Sequence, residues 1–535
     1  MTSLIPDRAE FVLRGGIVFD GTGGPPSVAD VLVESGRIRL APPGTVGGRE
    51  IVDVDGLSVA PGFIDVHSHA DLEAILFGGD PQIHHSRLLQ GVTTEVVGNC
   101  GFSPFPVPPG SDDECAALLS IVMGEGAETF TDLDEYSAAI SEAGPASNIA
   151  PLVGHGTLRA SVIGSEARRA TPSELERMAS ALQDSMSLGA FGLSSGLCYS
   201  PATYAGSEEL RVLIEVLRRA GGVYSTHVRN ETDLVAASIV EAIDTVRGTG
   251  VPLHVSHLKV AGRRQWGESR GILDGLDAAR ASGVDVTADV YPYTAASTML
   301  HSLLPPWIAE GGPGELLARL ADPAVRRRVE SDLIEGVPGW QNLGQAAGWD
   351  RVVVASAGSR PEWEGRSIVD LAISDDLTTT DTIARILTAC AGRVVVVIEA
   401  MDDEDMERFL GWRHSVVGSD GLPLPGTPHP RLTGTFPRVL ARYRHLFDGL
   451  EGAIHRMSGA SAHRFGIPDR GFVKDGLIAD LVVFDTASVS DQATYATPWT
   501  RPTGVHHVFL AGRAAVWGGA VVNARAGSML RRSVV

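Results

Sequence analysis

Two histidines one residue apart, His67 and His69, stand in the run PGFIDVHSHAD, residues 61–71. Side chains alternate along a strand, so Asp65, His67 and His69 share one side of it. Two neutral imidazoles at a strand end can hold one divalent ion, and zinc suits them. An HxH pair alone is weak evidence. It gains weight from His227 in VYSTHVRNE and His257 in PLHVSHLKV, which also close short apolar runs. A lone buried histidine is usually satisfied by a hydrogen bond, but four converging at strand ends suit a metal better. His254 is the contrast: alternation points it away from His257, and it reads as structural. Asp420 ends the run SVVGSD. Beside the histidines it is a natural ligand and general base for an activated water. Cys100, in TTEVVGNCG, reads from its surroundings either as a small buried thiol or as a zinc thiolate. Cys115, Cys198 and Cys390 read as structural or incidental.

The elements that must position these residues alternate regularly. Short apolar stretches at 63–69, 93–99, 149–154, 190–194, 223–228, 251–257, 284–290 and 415–420 end in polar residues, and segments of helical spacing follow most of them. This pattern predicts a (β/α)8 barrel over residues 62–465, with the site at the strand C-termini. The stretch at about 295–400 interrupts the rhythm after the seventh strand and reads as an insertion subdomain, a lid or a substrate-shaping element. The ends, 1–61 and 466–535, carry short β-patterned runs separated by Gly and Asp turns, and predict one small β-sandwich built from both.

Of 535 residues, 44% are apolar and 20% charged, enough for a large core. The net charge of −21 argues against a nucleic-acid surface. The four cysteines show no CxxC spacing, and no apolar run approaches the length of a membrane span. MTSLIPDRAE lacks the features of a secretory leader. These features lead us to expect a cytoplasmic protein, a monomer or small homo-oligomer, with a small-molecule substrate and neither nucleic-acid nor membrane partners.

The motifs together resemble the amidohydrolase superfamily. More narrowly, GVTTEVVGNCGFSP, SSGLCYSPATYA, STHVRNETD, VSHLKVAG and GSDGLPLPGTPHPRLTGTFPRVL resemble the N-acyl-D-amino-acid deacylases (D-aminoacylases), in order and in separation from about residue 60 to 485. Many two-metal members of the superfamily bridge their ions with a carboxylated lysine from the fourth strand; GAFGLSSGLCYSP has no lysine. The resemblance implies that Cys100 takes its place. Cys100, His227 and His257 would then hold one tight zinc, and His67, His69 and Asp420 would line a second, weaker site. It further implies that Lys259, Arg431 and Tyr199 clamp the substrate carboxylate. Arg229, two residues beyond His227, is a further candidate; a structural ion pair fits it equally well. The activity implied is hydrolysis of N-acyl-D-amino acids, with zinc activating water and Asp420 moving its proton. The D preference rests on the resemblance alone.

Three other readings compete. Gly192–Gly196 matches the G-x-S-x-G elbow of serine hydrolases, but it leads into a proline-containing loop, not a steep turn into a helix. Hydrolysis of a cyclic amide such as a hydantoin or dihydropyrimidine, or deacylation of a larger acylated natural product or peptide, stays within the superfamily. A non-catalytic scaffold would be expected to have lost metal ligands, and all six candidates are present. Tyr291, Tyr293 and Met299, at the start of the insertion, are candidates for shaping the substrate pocket.

Overall fold

A computed structural model describes residues 10–47 and 49–533. Most of the N-terminal stretch inspected for a leader lies outside them. Among the described residues no helix is long and apolar enough to cross a membrane.

Eight parallel strands close a barrel. They are Phe63–Asp65, Val92–Val97, the broken third strand Asn148–Pro151 with Val153–Gly154, Gly192–Gly196, Val223–His227, Leu253–Val255, Val286–Val290 and Ser415–Val417. Each pairs in parallel with its sequence neighbour, and the seventh pairs with the eighth across the insertion. Closure comes from a bridge between Ser68 and Gly421, with Asp420 N–H donating to His67 O at 2.7 Å. The outer helices form for ordinary reasons. Ser207–Ala220 buries Leu210, Leu213, Ile214 and Leu217 along one stripe. Pro172–Ser187 starts on a capping box between Thr171 and Glu174.

Both chain ends build one β unit. Ser58–Pro61 runs antiparallel to Leu481–Phe484, joining N- and C-terminal strands into nine. The expected sandwich is one continuous hydrogen-bonded sheet curled over its own core. Phe11 and Phe509 meet at 4.8 Å between ring centroids although two strands separate theirs in the sheet. The bend lies in Glu10–Val18, which pairs first with Glu50–Asp53 and then with Ser58–Pro61. Its register shifts between Leu13 and Gly16, and a Cβ on Gly16 would stand 2.6 Å from Val59 Cγ2. Glycine there permits the close approach that turns the corner.

The insertion carries a three-stranded antiparallel sheet, with Val395–Glu399 between Ala295–Met299 and Val352–Ser356. Alternation divides its central strand. Val396 and Ile398 join a separate core with Leu316, Val329 and Ile383, while Val395 and Val397 belong to the barrel's core. The runs RVVVASAG and RVVVVIEAM, residues 351–358 and 393–401, therefore pair within the insertion.

Candidate metal centre and active site

The barrel's C-terminal rim gathers the chemistry. The second strand ends at Val97, and a tight turn through Gly98 and Gly101, both at positive φ, presents Cys100. A Cβ on Gly98 would lie 2.2 Å from Leu152 O, so the turn needs glycine there. Ser194, the serine of the G-x-S-x-G match, is fully buried; its hydroxyl donates to Gly98 O and accepts from Gly101 N–H. It braces the Cys100 turn and has no imidazole partner.

Cys100 Sγ lies 3.3 Å from His67 Nε2, 3.4 Å from His257 Nε2 and 3.7 Å from His227 Nδ1. Zinc ligands at tetrahedral corners, with bonds of 2.0–2.3 Å, put sulfur and nitrogen about 3.6 Å apart. The donor set therefore fits a zinc ion. His67, Cys100, His257 and Asp420 form one compact group of potential ligands, and His227, Glu231 and His257 form another. Burial pushes His227 well below the ordinary imidazole range, and burial with Lys259 lowers His257, so both rings are neutral as ligands must be. Burial raises the Cys100 thiol, as does Asp420; a divalent cation inverts that preference.

Cys100, His257 and Asp420 all adopt positive φ, at 54°, 36° and 51°. Each such residue costs about 1–3 kcal/mol, and such strain concentrates at functional sites. Asp420 Oδ1 lies 3.2 Å from His69 Nε2 and 3.5 Å from His67 Nε2, and Arg431 Nη2 lies 2.9 Å from Oδ2. Burial opposes the Asp420 charge, yet the Arg431 guanidinium holds its carboxyl well below the usual range. Asp65 stays out of the cluster. It accepts from Ser419 N–H at 2.8 Å and from the Ser419 hydroxyl at 2.5 Å, bracing the loop that carries Asp420.

Arg431 opens the helix Arg431–Arg438 and is 1% exposed. Its guanidinium lies 4.6 Å from the Tyr291 ring centre, and its Nε and Nη1 have no hydrogen-bond partner. Lys259 lines the pocket, with Nζ 2.6 Å from Glu231 Oε1. Tyr199 lines it too, its hydroxyl 3.1 Å from Thr298 Oγ1 of the insertion. Tyr291 and Met299 line the pocket as well, whereas Tyr293 packs against His429. Arg229 does not join them. Its guanidinium grips Glu241 with two contacts of 3.0 Å and donates to Thr203 O and Ala205 O. The fifth strand ends at His227, so strand alternation no longer governs Arg229, and the structural ion pair is the reading that holds.

Two carboxylates behind the cluster escaped the sequence reading. Asp289 Oδ1 lies 3.3 Å from His67 Nδ1 and 3.0 Å from His254 Nε2. His254 is thus no ligand, but it shares a buried acceptor with one. Glu231 stands among Lys259, His257 and His227. The signal for Glu231 was its place in THVRNE, four residues past a candidate ligand; Asp289 meets His67 through barrel register alone.

The model of the amidohydrolase family matches residues 50–335. A D-aminoacylase of Alcaligenes xylosoxydans xylosoxydans is 35% identical over 95% of this chain and 94% of its own length. The chain belongs to the D-aminoacylase family of amidohydrolases. An N-acyl-D-glutamate deacylase from the same organism is 34% identical over 98% of this chain and 97% of its own. The crystal structure of N-acyl-D-glutamate deacylase from Bordetella bronchiseptica, complexed with zinc and a phosphonate mimic of the tetrahedral intermediate, superposes with a TM-score of 0.82. It is 34% identical and covers 98% of this chain and all of that one. This D-aminoacylase relative is accordingly a hydrolase with the family's metal-dependent barrel.

A pocket opens beside the cluster, lined by His69, Cys100, His227, His257 and Asp420. Besides the polar groups its lining includes Phe102, Val122, Met299, Leu303, Leu343 and Leu422, partly from the insertion.

Proposed function

We propose that this chain is a zinc-dependent deacylase that cleaves N-acyl-D-amino acids into a carboxylic acid and a free D-amino acid. The observation that carries the reading is the Cys100–histidine–Asp420 cluster set against a buried arginine with two unspent donors. Cys100, His227 and His257 would hold the tight ion; His67, His69 and Asp420 would offer a weaker second place. A bound zinc supplies Lewis acidity, lowering the pKa of water and polarising an amide carbonyl.

Asp420, ionised and hydrogen-bonded, accepts the proton of the attacking water. It then delivers that proton to the leaving nitrogen as the C–N bond breaks. His69, neutral and 3.2 Å from Asp420 Oδ1, orients the carboxylate. Arg431, Lys259 and Tyr199 take the substrate's α-carboxylate, with Arg431 free to add a paired contact. Clamp and scissile carbonyl fix two points of the α-carbon, so one enantiomer alone turns its side chain into the pocket. The D assignment is supported by the relatives. A hydantoin or dihydropyrimidine lacks the free carboxylate and would leave the clamp idle, which disfavours the cyclic-amide reading.

The apolar part of the lining favours a neutral side chain. Among the described residues Lys259 is the one lysine or arginine lining the pocket; Arg431, 1% exposed, reaches it through Asp420. A side-chain carboxylate buried there would be unpaired, whereas an apolar one gains about 1.5–3 kcal/mol on burial. N-acetyl-D-methionine should therefore exceed N-acetyl-D-glutamate in kcat/KM by about 100-fold, and Met299→Ala should narrow the gap. Equal rates would refute the neutral pocket. Chelation that leaves the rate on N-acetyl-D-methionine untouched would refute the zinc deacylase itself.

A further inference from the structure

We propose that His429 is a positioning residue for the carboxylate clamp: its ring fixes Arg431 and ties it to the insertion strand that lines the pocket. The proposal rests on the zinc deacylase reading above. Pro430 stands at the N-terminal cap of the helix Arg431–Arg438 and offers it no side-chain hydrogen bond. The N–H of Arg431 belongs to the first-turn donors that a helix leaves unpaired. His429 supplies the partner, with Nδ1 2.9 Å from Arg431 N. On the far side of the ring, Nε2 lies 3.0 Å from Ala295 O and 3.4 Å from the Tyr495 hydroxyl. A backbone N–H can only donate and a carbonyl can only accept, so the two bonds select one neutral form, with the proton on Nε2. Burial and the Arg431 charge hold the ring well below the ordinary imidazole range, which favours that form. The ring is 3% exposed and stands nearly perpendicular to those of Tyr293 and Tyr495, each 5.1 Å away between centroids.

The consequence lies in what the ring joins. Ala295–Met299 is an edge strand of the insertion sheet, paired on one side with Val395–Glu399. Ala295 and Ser297 are two residues apart, so their carbonyls leave the strand on the same side. His429 takes the first, and Arg431 Nη2 donates to the second at 3.3 Å. The same strand presents Ala296, Ser297, Thr298 and Met299 to the pocket. The short segment His429–Arg431 thus sets the distance between the arginine that meets the substrate carboxylate and the strand that meets the rest of the substrate. Without the ring, the guanidinium keeps its charge but its backbone loses its anchor. The helix beyond its first turn is held independently. Thr433 Oγ1 donates to Pro498 O at 2.6 Å, and Arg438 Nη1 donates to Asp491 Oδ2 at 2.9 Å. Loss of His429 should therefore loosen the clamp without unwinding the helix.

The test compares His429→Phe, His429→Asn and His429→Gln with the wild-type enzyme, reading KM and kcat on N-acetyl-D-methionine and zinc content after dialysis. Phenylalanine keeps a ring between the tyrosines and loses both bonds. Asparagine can put Oδ1 where Nδ1 stands, and glutamine can put its amide nitrogen where the imidazole Nε2 stands. His429→Phe should keep its zinc and raise KM by about tenfold or more, the scale on which an unpaired buried donor shifts an equilibrium, with a smaller fall in kcat. His429→Asn should recover most of that KM, and His429→Gln little of it. In an Arg431→Met background the His429→Phe step should change kcat/KM by less than about twofold, because a residue that acts through Arg431 then has nothing to position. A His429→Phe enzyme with wild-type KM would overturn the proposal. So would a His429→Asn enzyme no better than His429→Phe, or a full His429→Phe effect in the absence of Arg431. A merely structural histidine would lower the yield of folded enzyme and leave KM unmoved. If His429→Phe does not fold, the contrast between His429→Asn and His429→Gln decides in its place. A wild-type enzyme that holds zinc and releases no methionine would sink the deacylase reading, and this proposal with it, before any variant is compared.

Discussion

Asp420→Asn should lose about three to four orders of magnitude in kcat while retaining its tight zinc. Proton transfer by a placed side chain is worth about 10²–10⁴-fold, and here one carboxylate serves both the water and the leaving nitrogen. Its setting is made for the task. Arg431 at 2.9 Å and His69 at 3.2 Å fix both oxygens. Because its carboxyl is held well below the usual range, Asp420 remains a base at pH 5 as at pH 8. Acidification across that window should therefore not protonate it in the free enzyme. Asparagine is the better variant than alanine, since removing the side chain strands a buried guanidinium at a cost of about 3–5 kcal/mol. Steady-state rates together with zinc content read the result. A kcat within tenfold of wild type would remove Asp420 from the proton path.

Cys100→Ala should lose bound zinc and activity together. The thiol lies within 3.7 Å of three different imidazoles, so its removal takes away the ligand that links His67, His227 and His257. We expect zinc affinity to fall by more than about 100-fold, beyond what the loss of a supporting partner costs. Zinc measured after dialysis against a weak chelator decides the matter. Full zinc and full turnover in Cys100→Ala would place the metal elsewhere.

Much of this architecture was legible before any coordinates. Apolar runs ending in polar residues marked the barrel strands, because burial on both faces demands such runs and the rim demands chemistry. His67 and His69 were legible as neighbours, though the geometry that unites them is not the expected pleat. The strand ends at Asp65, and the chain then bends to bridge Ser68 with Gly421. Alternation failed for Arg229 for a related reason, since its strand stops two residues earlier and releases it toward the helix Val235–Val246. Asp289 was illegible because its partner His67 is 222 residues away, and no local pattern encodes the register that brings seventh-strand and first-strand residues together. Glu231 was closer to legible. A reader asking what neutralises a buried Lys259 would have looked for a carboxylate nearby, and Glu231 follows His227 by four residues.

The central claim is tested most directly by incubating the zinc-loaded enzyme with N-acetyl-D-methionine and N-acetyl-L-methionine in parallel, and measuring free methionine by mass spectrometry. The account predicts rapid release from the D enantiomer and none above background from the L. Release from the L enantiomer at a matching rate, or from neither while zinc is bound, would contradict it.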